Sequence, residues 1–173
     1  MPFTPFHLMA GTSVKSFFPK YFSFSIFTLT NIIIDSEVLY YIYTTGIPSH
    51  NFFHTFIGAS LIAIFVALFC GSLCEIGLKL WNIVLYTKKF SWFKTEVKIT
   101  KVSAWTGAFV GAYSQLVLDS IMHKDIKPFF PIKDYNQLHN VMSVNNLHYF
   151  CIGLLYLAFV IFILKRHIKI NKN

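Results

Sequence analysis

The chain has 173 residues, 55% hydrophobic and only 13% charged, against roughly 25% charged in soluble domains. That composition excludes an ordinary soluble domain and points to a membrane protein. The net charge of +8 does not point to nucleic acid, which is not expected as a partner, because the lysines flank hydrophobic segments rather than forming a basic module.

No cleavable leader is expected: the opening MPFTPFHLMAGTSVKSFFPKY places Pro, Thr and His early and has no basic stretch ahead of an apolar core. Residues 4–18 predict a short helix, broken at Pro19 and too short to cross a bilayer core that takes about 20 residues. It is expected to lie at the interface or dip into the protein. A first span is predicted over 21–43, apolar except for Asp35 and Glu37, and a second over 52–74, uncharged apart from His54. LKLWNIVLY reads as an interfacial amphipathic helix. A third span is predicted over 102–122 and a fourth over 147–164. The fold class expected is all-α: an integral membrane bundle of about four transmembrane helices plus a short N-terminal helix, one domain over residues 1–173.

Lys79, Lys88, Lys89, Lys94, Lys98 and Lys101 lie between the second and third spans, and Lys165, Arg166, Lys169 and Lys172 follow the fourth. The positive-inside rule puts both regions in the cytoplasm, with Lys15, Lys20 and the N terminus. The loops 44–51 and 123–146 fall on the far side, despite Lys124, Lys127 and Lys133. Cys70, Cys74 and Cys151 all sit in apolar stretches, without CxxC spacing or a disulfide framework, and read as small buried thiols.

Three of the seven acidic residues, Asp35, Glu37 and Asp119, fall within predicted spans, where a carboxylate costs about 3 kcal/mol at a helix centre. With this topology Asp35, Glu37, His50, His54, Asp119 and His123 gather in one leaflet. A separation of four residues sets side chains on one helical face, about 6 Å apart, which relates His50 to His54 and Asp119 to His123. The row Gly107, Gly111, Gln115, Asp119, His123 begins with glycines that permit close helix approach and ends polar. Asp35 and Glu37 are two residues apart and cannot share one helical face, so one is a ligand candidate and the other a structural partner.

Imidazole and carboxylate together are a ligand set for zinc, or for manganese or iron with more oxygen. His50, at a loop end, suits either a surface histidine or a ligand. His123 suits either a helix-end cation beside the C-terminal dipole or a ligand. His139 and His148 read as background, and Glu75 as the cytoplasmic end of the second span.

TPFHLMAG, TNIIIDSEVLYY, HNFFHTFIGA and GAYSQLVLDSIMH followed by KPFFP together resemble the bacterial membrane-bound predicted metal-dependent hydrolases, of the LexA-regulated inner-membrane type. The resemblance spans about residues 3–132 and rests on sparse motifs. It implies a multi-span helical protein of the bacterial inner membrane with a divalent metal, zinc by analogy with zinc-dependent phospholipases. The family's early histidine matches His7, its acidic motif Asp35 and Glu37, and its TH motif His54, with His50 upstream. Its SHLLLD pattern matches SQLVLD, keeping Asp119 but placing Gln115 where the family has histidine. Glutamine is a poor zinc ligand and exchanges no proton near neutral pH; His123, one turn beyond Asp119, stands where it can compensate.

The expectation is therefore a metal-dependent hydrolase acting on an ester or phosphoester, in membrane lipid. Its metal ligands come from His7, His50, His54, Asp119 and His123, and its catalytic carboxylates from Asp35, Glu37 and Asp119. Simple four-span topology leaves His7 on the opposite side from the rest unless its segment re-enters. The same groups also suit a proton or cation relay, or a structural lock between helices.

Overall fold

The computed structural model describes residues 5–85 and 94–170. They form six α-helices and, among the described residues, no strand: α1 Pro5–Phe17, α2 Phe24–Thr45, α3 Phe56–Phe69, α4 Gly71–Val84, α5 Lys101–Met122 and α6 Val144–Ile170. Tyr86, Lys88, Lys89 and Lys172, and the side chains of Arg166 and Lys169, lie outside the described set.

Local chemistry sets the helix starts. The Ser23, Thr55 and Thr100 hydroxyls accept from the backbone N–H groups of Ile26, Gly58 and Ser103, capping α2, α3 and α5 and satisfying donors that a helix start leaves open. α2 ends on Gly46 at φ 74°, a left-handed position that glycine takes without steric cost.

α5 is the centre of the bundle, packed between α2 and α3. Its inward face is made of small residues, with Ala104, Gly107, Ala108, Gly111 and Ala112 all buried. A Cβ on Gly107 would lie 2.5 Å from the Ser23 carbonyl oxygen, and one on Gly111 3.0 Å from that of Phe27, so the expected close approach at GxxxG spacing is the α2–α5 contact. α1 lies along α6 and runs parallel to it: Phe6 stacks on His148, Ser13 donates to the Leu154 carbonyl and Ser16 to that of Ala158.

The second predicted span is not a straight rod over 52–74. Residues 50–55 form an irregular turn, α3 starts at Phe56, and α4 departs from α3 by 65° at Cys70. α4 buries none of its residues, as expected of a peripheral amphipathic helix, and Glu75 on it accepts from the Ile99 backbone N–H, tying it to the start of α5. All three cysteines are free; Cys70 and Cys151 are buried and Cys74 is partly so.

α6, over Val144–Lys165, is the one described helix long and apolar enough to cross a membrane, and the bent α3–α4 pair also passes if it is a single broken span. α2 and α5, at 22 residues each, are about 33 Å long at 1.5 Å per residue, enough in length but not in apolarity. The shortfall has a physical origin: Asn31 and Asp35 of α2, and Ser103, Gln115, Asp119 and Ser120 of α5, are buried inside the bundle.

A cavity of about 580 Å³ lies at the end of the bundle remote from His54 and Asp119, lined by Lys15, Lys20, Trp81, Glu96 and Lys98 among others. The Lys15 ammonium there donates to the carbonyls of Pro19 and Phe22 at 2.7 and 2.9 Å, so it closes the α1–α2 connection.

Candidate metal centre

At the opposite end, α2, α5, the turn before α3 and the start of α1 converge on a buried polar cluster. Asp35, His54, Gln115 and Asp119 are each at most 4% exposed. Burying such groups is unfavourable unless each is paired, and the atoms left without a hydrogen bond here, His54 Nε2 and Gln115 Oε1, are therefore the informative ones.

Glu37 accepts from the backbone N–H groups of Asn51 and Phe53, both at 3.0 Å, and so shapes the turn that carries His54. It also accepts the Nδ1 hydrogen of His54 at 3.0 Å. A carboxylate only accepts, so Nδ1 carries the hydrogen and Nε2 is directed inward. That Nε2 is buried without a hydrogen bond and lies 3.7 Å from Asp119 Oδ2.

Asp35, His54 and Asp119 each bring one donor atom to a group in which all lie within 4.8 Å of one another. Gln115 bridges the two acids, its amide nitrogen donating to Asp35 Oδ1 at 2.7 Å and to Asp119 Oδ2 at 3.0 Å, while its own oxygen is buried without a partner. The other Asp119 oxygen meets His7 Nε2 at 3.2 Å. His7 therefore sits with the cluster, because α1 starts at this end of the bundle, which is the placement expected if the N-terminal segment re-enters.

The donor set fits a divalent cation. Two carboxylates and an imidazole nitrogen with no other partner converge in a buried space, and Gln115 is the residue that must turn to admit an ion, since its N–H groups face both acids.

His50 and His123 form a second layer nearer the surface. The sequence expectation that His50 and His54 share a helical face is corrected: both precede α3 in non-helical backbone, yet their rings meet edge to face with centroids 4.6 Å apart. His123 is the C-cap of α5, in extended conformation, and its ring centroid is 4.6 Å from that of His50. Burial and the adjacent His50 push the His123 imidazole below its ordinary range, towards the neutral form.

Asp125 is the residue that sequence reasoning passed over. Its Oδ2 accepts from His50 Nδ1 at 2.8 Å and from the His50 backbone N–H at 3.2 Å. Partial burial would raise this carboxyl, but those hydrogen bonds and the His50 charge outweigh it and hold it below the usual carboxylate range. The signal present in the sequence was a carboxylate two residues after His123. Asn136 fixes the same corner by donating to the carbonyls of Ser120 and His123, each at 2.8 Å.

Of the residues expected in one site, the structure thus gathers Asp35, His54 and Asp119 as an inner group, with His7 and Glu37 holding members of it from behind. His50 and His123 stand apart from that group with Asp125. No protein-family model, curated protein or solved structure matches this chain.

Proposed function

We propose that this chain is an integral membrane, metal-dependent hydrolase, with a divalent cation of the zinc or manganese type held by Asp35, His54 and Asp119. The observation that carries the reading is the buried His54 Nε2, which has no hydrogen bond and is aimed at two carboxylates. Membrane embedding in a bundle of about four spans is supported by the apolar exterior: Leu39 and Tyr43 on α2, Leu61 and Phe65 on α3, Trp105 on α5 and Phe159 on α6 are all exposed, an extent of apolar surface that soluble monomers avoid. The resemblance of the motifs to bacterial inner-membrane hydrolases supports the same assignment.

A cation at this site would supply Lewis-acid activation of water and of the scissile bond. Glu37 locks the His54 ring in the tautomer that presents Nε2. His7 Nε2, 3.2 Å from Asp119 Oδ1, would hold that carboxylate in place for a cation. His50 and His123 form the polar entrance. The substrate class is an ester or phosphoester in membrane lipid, which a site near one end of a spanning bundle meets at headgroup depth.

The test is elemental analysis of detergent-purified protein together with hydrolysis of lipid ester and phosphoester substrates. Metal is expected to be retained by the wild type and lost, with activity, from His54→Ala and Asp119→Ala. Absence of metal in the wild type, with both variants indistinguishable from it in every assay, would overturn the reading.

A second reading, a non-enzymatic helix lock, is favoured by one observation: the Gln115 amide already bridges Asp35 and Asp119. On that reading the acids join α2 to α5, and stability rather than metal content responds to their replacement.

A further inference from the structure

His50, His123 and Asp125 come from two connections distant in sequence, the turn before α3 and the segment leaving α5, and each offers one donor atom within 4.8 Å of the other two. We propose that they form a second divalent-cation site at the mouth of the cluster, with ligands distinct from Asp35, His54 and Asp119. The inference goes beyond the function proposed above and does not need the inner group to hold a metal.

The chemistry of the set matches its place. Two imidazoles and one carboxylate are the ligands of three-coordinate protein sites that keep a position for water or substrate. Ligands sharing a tetrahedral zinc stand about 3.3 Å apart when the bonds are about 2.0 Å. The 2.8 Å between His50 Nδ1 and Asp125 Oδ2 therefore needs to open by only a few tenths of an ångström, with an ion replacing the shared proton.

The backbone is also held by residues outside the ligand set. Asn136 grips the His123 and Ser120 carbonyls, and Glu37 fixes the Asn51 and Phe53 amides next to His50. A fixed backbone beneath the ligands, with the His50 ring held against His54 and His123, is what a preorganised site requires. Asp125 is exposed and both histidines are partly so, which leaves the site open to ions from solution, whereas the inner three residues are buried. The edge-to-face contact of His50 with His54 makes the two groups neighbours.

The test uses the full chain in detergent, stripped of metal and titrated with Co²⁺, read by visible absorption and by bound cobalt per chain. The mouth is altered by His123→Gln with Asp125→Asn and the inner group by Asp35→Asn with Asp119→Asn, and retained helicity on circular dichroism is required of both. The wild type is expected to bind one more equivalent of Co²⁺ than the mouth variant, and the inner variant to keep that equivalent with its absorption band unchanged. Equal cobalt in the wild type and the mouth variant overturns the proposal, whatever the inner group does. Loss confined to the mouth variant, with inner variant and wild type alike, supports the proposal while overturning the inner metal centre. Should the double variant lose helicity, His123→Gln alone is read by the same criterion.

Discussion

α5 and α6 are both long helices crossing most of the molecule, yet they do opposite jobs. α5 is buried along its length on a face of glycine, alanine and polar residues, and it fails the test of apolarity that α6 passes. α6 leans on α1 and leaves most of its apolar surface open, with only 17% of its apolar window buried. The comparison teaches that in this bundle the helix most central to the fold is the less hydrophobic one. Its contacts are backbone approach and hydrogen bonds, while α6 is written for an apolar surrounding.

Removing the polar bridge on α5 gives the largest effect on that contrast. Gln115→Leu strips the donor from two buried carboxylates and is expected to cost about 3 kcal/mol, a fall of roughly 6–12 °C in melting temperature for a chain of this size. Thermal unfolding in detergent, paired with metal analysis, checks it. A loss of stability with no metal in either protein favours the helix lock over the metal centre.

A smaller effect separates the two helices by one methyl group. Gly107→Ala places its Cβ 2.5 Å from the Ser23 carbonyl oxygen and is expected to cost about 2 kcal/mol by forcing α2 away. The same change at Gly153 of α6, where a Cβ meets nothing within 4 Å, is expected to cost nothing and to gain up to about 1 kcal/mol from helix propensity. Equal melting temperatures for the two variants would break the comparison.

The smallest effect falls on the connection between these helices. The Asp125 carboxyl is held below its ordinary value of 3.8, so its tether to His50 contributes stability above that value and loses it as pH falls through the depressed one. NMR of the His50 amide in micelles is expected to show a titration with a midpoint below 3.8. Asp125→Asn should abolish the step.

Helix number and placement were largely legible. The segments predicted over 4–18 and 102–122 match α1 and α5 closely, because Pro19 and the threonine cap bound them locally. The span predicted over 52–74 was misread because uninterrupted apolarity cannot register a bend: the break at Cys70 interrupts no hydropathy pattern. Helical spacing was also the wrong reason for pairing His50 with His54. They meet through Glu37, whose hold on the Asn51 and Phe53 amides is a long-range contact that no local period encodes.

The amino-acid sequence by itself determined an all-helical chain, the placement of Asp35, Glu37 and Asp119 in helices where unpaired carboxylates are costly, and the glycines that let α2 approach α5. These follow from composition and from periodicity along one helix. Only the tertiary structure decided that His7 joins Asp119, that Glu37 orients rather than joins the inner group, and that His50 and His123 take Asp125 as their partner. Each of those depends on where a turn leaves the chain and which way a ring faces, properties set by contacts between residues far apart in sequence.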